Sequence, residues 1–239
     1  MKQFIQQIPI IGRLAQRAYW VLFAPKASTD PFPGSRDYWE RRYANGGNSG
    51  VGSYAQFAEF KAEILNRFVA AHHVQTVIEF GCGDGNQLSL GQYQEYLGID
   101  VSPTAIDACR QRFDGDTTKS FLLSSDYARQ TAELSISLDV IYHLVEDNVF
   151  DEYMNTVFDA SDRFVIIYAS DTDDNRSHGD SHVRHRSFTR WIGENRAGWH
   201  LIEHIPNRYP YLGDYRTGSF ADFFVFERAG GKRSTFPGA

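Results

Sequence analysis

One segment constrains this chain more than any other: Val77-Ile78-Glu79-Phe80-Gly81-Cys82-Gly83-Asp84-Gly85-Asn86-Gln87-Leu88. A β-branched apolar run enters three glycines separated by single residues, and a polar stretch follows. Glycine accepts left-handed backbone and lets the main chain come close to a ligand. The pattern therefore predicts a buried strand, a sharp turn and the start of a helix, a general nucleotide-binding device. The dinucleotide fingerprint Gly-x-Gly-x-x-Gly would need its third glycine where Asn86 stands. An acid, Glu79, also precedes the first glycine. A carboxylate beside the turn suits a cationic ligand better than a pyrophosphate.

The rest of the chain supports an α/β fold. At 239 residues, with 42% hydrophobic and 23% charged residues, it is long and apolar enough for one domain with a substantial core. Strand patterns at Val74–Phe80, Tyr96–Asp100, Ser120–Leu123, Leu134–Ile141 and Arg163–Ala169 alternate with helical ones. The helices are expected from near Asp37, from Tyr54 to Ala71, over Asn86–Tyr93, over Pro103–Phe113 behind the cap Ser102, and over Asn148–Ala160. Alternation of this kind predicts a mostly parallel sheet covered on both faces. After a polar loop at 170–186 and a short helix over Ser187–Arg196, Trp199–Ile205 and Ala221–Glu227 read as strands with no helix between them. Such strands can pair antiparallel.

Three further segments sharpen the reading. Tyr96-Leu97-Gly98-Ile99-Asp100-Val101-Ser102 is a strand ending in an acid 19 positions after Gly81, where a carboxylate can accept both ribose hydroxyls. Ser125-Asp126-Tyr127 follows the third strand, and Leu138-Asp139-Val140-Ile141-Tyr142-His143-Leu144 ends the fourth. Together with the glycine segment, these resemble the motifs of class I S-adenosylmethionine-dependent methyltransferases over about residues 54–228. The resemblance implies a Rossmann-like seven-stranded, mostly parallel sheet with helices on both faces and an antiparallel C-terminal strand hairpin. It implies S-adenosylmethionine as cofactor, held by Glu79, Gly81, Cys82, Gly83, Asp84, Gln87, Asp100, Val101, Asp126, Tyr127 and Asp139. In that family an acid at the position of Asp126 often meets the adenine amino group. The segment before the first motif often folds over the cofactor, and Gly46, Gly47, Gly50 and Gly52 would let Gly46–Tyr54 move as a lid.

Methyl transfer to a hydroxyl is helped by a general base, and histidine is suited to that task near neutral pH. His143, after the fourth strand, and His182 and His185, beyond the fifth, are the candidates. Arg184 and Arg186 suggest an anionic acceptor. The acids Asp171, Asp173, Asp174 and Asp180 with His178, His182 and His185 match no metal-ligand spacing, so no metal is expected. Trp39, Tyr43, Tyr54, Tyr209 and Tyr211 could line a pocket for a sugar or aromatic ring.

The ends and the overall charge bear on partners. Residues 1–36 read as an amphipathic N-terminal helix and a linker, and 37–239 as the catalytic domain. Apolar positions from Ile10 to Leu22 fall on one face and Arg13 and Arg17 on another, so residues 4–23 could lie on an anionic membrane surface, on their own domain or on a second subunit of a homodimer. The net charge of -6 argues against nucleic-acid backbones as partners. Two cysteines give no disulfide framework, and a reducing cytoplasm is expected, including the inner face of the membrane. The favoured acceptor is a small molecule or a glycan, including a lipid-linked one. The rival readings are a nicotinamide-dependent oxidoreductase and a non-catalytic module that binds S-adenosylmethionine.

Overall fold

The Val77 segment forms the centre of the molecule. The computed structural model describes residues 32–176 and 181–231. Every residue of β1 (Thr76–Phe80) is buried, as a strand covered on both faces requires. On one side β1 pairs in parallel with β2 (Glu95–Asp100), which pairs with β3 (Lys119–Leu123). On the other it pairs with β4 (Ala132–Leu138), which pairs with β5 (Ser161–Ala169). β7 (Asp222–Arg228) runs antiparallel between β5 and the edge strand β6 (Trp199–Ile205). The order is β3-β2-β1-β4-β5-β7-β6, so the expected sheet and its antiparallel end are both present. The strand order reverses between β1 and β4, and ligands of open α/β sheets bind beyond the carboxyl ends of the strands at such a point.

Side chains alternate across the sheet and build two apolar layers. Val77, Leu134 and Phe164 pack with Phe60, Ile64, Leu65 and Phe68 of α2 (Ala55–His72) and with Ile106 of α3 (Pro103–Arg112). Ile78, Val165 and Ile167 pack on the other face against Phe150, Met154 and Phe158 of α4 (Asp147–Asp159) and Phe188 and Ile192 of α5 (Phe188–Asn195). α1 (Ser35–Ala44) precedes this body in sequence. α3 starts as expected: Ser102 Oγ accepts the Ala105 N–H at 3.0 Å and Pro103 opens the first turn.

Three elements differ from the sequence expectation. Asn86–Tyr93 is not a helix; it holds one 3₁₀ turn, Leu88–Leu90. The Asn66 side chain takes the backbone there, donating to the Leu90 carbonyl and accepting the Gln92 N–H, which diverts the chain into β2. The fourth strand ends at Leu138, not Ile141, because Asp139 adopts a left-handed φ of 60° and Ile141–His143 form a 3₁₀ turn. α1 begins at Ser35, ahead of Asp37, where Ser35 Oγ accepts the Val145 N–H at 3.1 Å and Gly34 supplies a φ of 98°. The amphipathic segment at 4–23 lies outside the described residues. Among the described residues no helix is long and apolar enough to cross a membrane.

Leu134 is wholly buried between Val77 and Phe164 on neighbouring strands. Leu134→Ala should therefore lower unfolding free energy by about 3 kcal/mol, the usual cost of a transfer loss plus a cavity. Urea denaturation measures it; a loss below about 1 kcal/mol would show that the layer relaxes around the gap.

Candidate functional site

The glycine turn after β1 is stitched to the end of β2. The Gly81 and Cys82 N–H groups donate to the Ile99 carbonyl at 2.7 and 3.1 Å. The Gly83 N–H donates to Asp100 Oδ2 at 2.9 Å, and the Ser102 N–H to Asp100 Oδ1 at 2.9 Å. Gly83 must be glycine on two counts. Its φ is 58°, and a Cβ there would collide with Ser49 Oγ and lie 2.9 Å from Tyr43 Oη. Asp100 is 7% exposed; burial raises its pKa, and the backbone N–H bonds oppose that rise. Each carboxylate oxygen still has a lone pair to spare.

A cavity of about 1270 Å³ lies at this switch point. Glu79, Gly81, Cys82, Gly83, Gln87, Asp100, Val101, Tyr127, Asp139 and His143 all line it. Glu79 accepts the Tyr96 hydroxyl at 2.6 Å. Burial pushes its carboxyl up to about 7, against the opposing pull of the Tyr96 bond and the Lys61 charge. Val140 and Val101 add apolar wall beside the turn.

Two expected cofactor residues stand elsewhere. Asp84 does not line the cavity; it ties down the preceding loop. Its Oδ2 accepts the Ser49 N–H at 3.1 Å and the Tyr54 hydroxyl at 2.7 Å, and its own N–H donates to Ser49 Oγ at 3.0 Å. Burial raises its pKa, but these bonds outweigh that and leave it lowered. The glycine loop Gly46–Tyr54 is thus latched across the turn. Asp126 is exposed on a 3₁₀ turn and among the described residues bonds its neighbour Ser125, while Ser124, Ser125 and Tyr127 line the cavity.

α1 closes the same region. Glu40 accepts the Ser102 and Thr104 hydroxyls at the start of α3, and the Ser102 bond is the largest influence holding its pKa down. At the other end of α1, Ser35 donates its N–H and hydroxyl to Glu146, beside the start of α4. Trp39 and Tyr43 line the cavity as expected of pocket aromatics. Tyr209 instead packs edge-on against Phe57 and Phe60, and neither Tyr54 nor Tyr211 lines the cavity.

The three histidines separate. His143 lines the cavity, and its Nδ1 lies 3.0 Å from the His182 carbonyl. A carbonyl only accepts, so Nδ1 carries the proton and Nε2 keeps the lone pair. Burial pushes this ring down to about 4, so it is neutral at physiological pH. Neither His182 nor His185 lines the cavity. The His182 ring stacks between Tyr38, at 4.6 Å, and His143, at 5.4 Å. His185 is buried, with Nδ1 against Ser170 Oγ. The expectation of an anion site at Arg184 and Arg186 is likewise corrected. Both are paired within the chain, with the Leu144 and Val145 carbonyls and with the exposed Asp147.

The polar loop before α5 is also structural. Asp171 and Asp173 accept the Thr189 and Ser187 N–H groups at the helix start. Among the described residues no cluster of three metal-ligating side chains occurs; His178 and Asp180 lie outside them.

Sequence reasoning passed over Lys61. This residue of α2 is wholly buried, lines the cavity, and donates to Asp139 Oδ2 at 2.7 Å. Asp139 Oδ1 accepts the Tyr142 hydroxyl at 2.7 Å. The signal was present: Lys61 interrupts the apolar stripe of Phe57, Phe60, Ile64 and Leu65, a position where a lysine enters the interior.

No protein-family model and no curated protein sequence matches the chain. Solved structures do. The N-methyltransferase NodS from Bradyrhizobium japonicum WM9, in complex with S-adenosyl-L-homocysteine, aligns with a TM-score of 0.63 at 17% identity, covering 82% of this chain and 98% of that one. Magnesium protoporphyrin IX methyltransferase from Synechocystis PCC 6803, with bound SAM, aligns with a TM-score of 0.55 at 17% identity over 90% of this chain and 96% of that one. The methyltransferase domain of a bacterial Hen1 aligns with a TM-score of 0.55 at 18% identity over 74% and 100%. With the strand order and the glycine turn described above, these similarities show that the chain has the Rossmann-like fold of class I S-adenosylmethionine-dependent methyltransferases.

Proposed function

We propose that this chain is an S-adenosylmethionine-dependent methyltransferase that methylates an oxygen of a small molecule or a glycan, lipid-linked glycans included. One observation carries the cofactor reading. Asp100 is a buried carboxylate on the cavity wall, fixed by two backbone N–H groups and still able to accept two more bonds. A ribose presents two adjacent hydroxyl donors that match it. Val101, Val140 and Tyr127 supply flat or apolar wall for the adenine. Glu79 and Asp139 place carboxyl oxygens on the wall, acceptors suited to a cationic cofactor. The volume exceeds the usual range for one small ligand and leaves room for an acceptor.

When bound, the cofactor supplies an electrophilic methyl group on a sulfonium. His143 Nε2 accepts the proton of the attacking hydroxyl, and the bond from Nδ1 to the His182 carbonyl holds the ring in that tautomer. Trp39, edge-on to His143 at 4.9 Å, gives the acceptor an aromatic wall. α1 and the latched loop keep water from the reacting centre. The basic amphipathic pattern at residues 4–23 supports a membrane-borne acceptor. The buried free thiols Cys82 and Cys109 fit a reducing cytoplasm. The net charge of -6 weighs against a nucleic-acid acceptor.

Two measurements test this. Calorimetric titration with S-adenosyl-L-homocysteine should give micromolar binding that weakens about 30-fold in Asp100→Ala, the cost of losing a hydrogen-bonded carboxylate. A folded wild-type protein that binds no S-adenosyl-L-homocysteine but is stabilised by NADH would replace the proposal with an oxidoreductase. The second is a pH profile of kcat with cofactor and acceptor saturating. A base acts in its neutral form, so activity is lost only as pH falls through its pKa. With His143 held at about 4, kcat should stay level from pH 8 down to about pH 5. His143→Ala should lower kcat by at least about 100-fold and leave cofactor affinity unchanged. An inflection near the ordinary histidine value that persists in His143→Ala would remove it from the role.

A further inference from the structure

The connection from β3 to β4 is too short to hold a covering helix. β2 and β1 lie between these two parallel strands. Residues 124–131 must therefore cross about 14 Å of sheet and return the length of β3, about 16 Å more. The straight path is about 21 Å, against a reach of about 30 Å when this stretch is fully extended. A parallel crossover usually takes a dozen or more residues and carries a helix. Here one 3₁₀ turn, Ser124–Asp126, is followed by irregular chain. Such a strap covers less of the sheet than a helix, and one flank of α4 is left open. The cavity continues into that gap: Ser124, Ser125 and Arg129 line it from the strap, and Asn148, Glu152 and Asn155 from α4. The three α4 positions are spaced by four and three residues and so share one helix face, which Asp159 extends. From Asn148 to Asp159 the helix rises about 16 Å. The groove starts beside the turn that carries His143, since α4 follows that turn directly.

The chemistry of this wall selects among ligands. Asp151 and Asp159 are engaged by the Trp191 ring N–H and by Arg196. Among the described residues the side chains of Asn148, Glu152, Asn155 and Arg129 make no hydrogen bond. Half-buried Val149 and Tyr153 add apolar wall beside them. A lipid tail laid here would strip water from these polar groups and pair with none of them. A polyanionic chain would meet the carboxylates of Asp151, Glu152 and Asp159 against Arg129. A neutral sugar ring has an apolar CH face and a rim of hydroxyls. Those hydroxyls donate to carboxylates and amide carbonyls and accept from amide N–H groups.

We propose that the groove between residues 124–131 and α4 seats the neutral sugar units next to the one that is methylated, so that the acceptor is an oligosaccharide chain and not a single sugar. This rests on the methyltransferase reading above and narrows its acceptor. The reacting hydroxyl meets His143, and the chain runs from Asn148 toward Asp159. Glu152 and Asn155, one helical turn apart, take ring hydroxyls, while Val149 and Tyr153 take the CH face. None of these α4 side chains has a part in holding the cofactor, so acceptor and cofactor affinities are separable by substitution.

The test reads acceptor binding without turnover. The full chain, saturated with S-adenosyl-L-homocysteine, is applied to an array of neutral and acidic glycans from single sugars to hexasaccharides. Each retained glycan is then titrated by calorimetry beside its terminal monosaccharide. Neutral trisaccharides or longer chains should be retained and should bind at least about 10-fold more tightly than the monosaccharide. Glu152→Ala and Asn155→Ala should each weaken the oligosaccharide about 10-fold and leave S-adenosyl-L-homocysteine unchanged. Circular dichroism establishes that the variants are folded. Retention of no neutral glycan, or of acidic glycans alone, would overturn the proposal while leaving the methyltransferase reading standing. So would equal affinity for oligosaccharide and monosaccharide, or oligosaccharide binding that neither variant weakens. Failure of the folded wild type to bind S-adenosyl-L-homocysteine would overturn the methyltransferase reading, and the acceptor role of the groove with it.

Discussion

A hydrogen bond of 2.9 Å joins the Gly83 N–H to the Asp100 carboxylate and ties the turn after β1 to the end of β2. It exists because the backbone at Gly83 is left-handed and carries no Cβ, so the turn can fold flat against its neighbours. The bond does two things at once. It satisfies a buried carboxylate that would otherwise be costly to hold in the interior. It also fixes where that carboxylate stands relative to the crevice between β1 and β4. The latched loop depends on the same turn, since Ser49 sits where a Cβ on Gly83 would be.

The cavity is built by parts that must agree in position. α1 reaches from Ser102 and Thr104 at the start of α3 to Glu146 beside the start of α4. The loop at Gly46–Tyr54 is held by Asp84. Both covers are anchored by carboxylate-to-hydroxyl or carboxylate-to-amide bonds, and α1 also by the ring contacts of Tyr38 with His182 and Trp39 with His143. Such contacts hold a cover in place while letting it open at modest cost, as cofactor exchange requires. The apolar layers on either side of the sheet fix the carboxyl ends of the strands independently of the covers.

The sheet was legible because its signals are local. Apolar runs, glycine turns, the Ser102 cap and the acid at 100 each report on a few neighbouring residues. Where a distant side chain decided the outcome, the sequence misled. Asn66 turns Asn86–Tyr93 away from a helix, and the left-handed Asp139 stops β4 three residues early. The site was legible at the glycine turn and at Asp100, but not in its division of labour. Nothing in the spacing of His143, His182 and His185 says that only the first reaches the cavity, because the other two are displaced by packing against Tyr38 and Ser170. Arg184 and Arg186 looked free and are consumed by the carbonyls at 144 and 145. Lys61 could have been found, since a lysine within an apolar helical stripe is a local signal too.

The account stands most directly on the structure of the complex with S-adenosyl-L-homocysteine, determined by crystallography. It predicts the ribose hydroxyls on the Asp100 carboxylate and the adenine against Val101 and Tyr127. A ligand bound away from the β1–β2 turn, or a cavity that stays empty at saturating ligand, would contradict it.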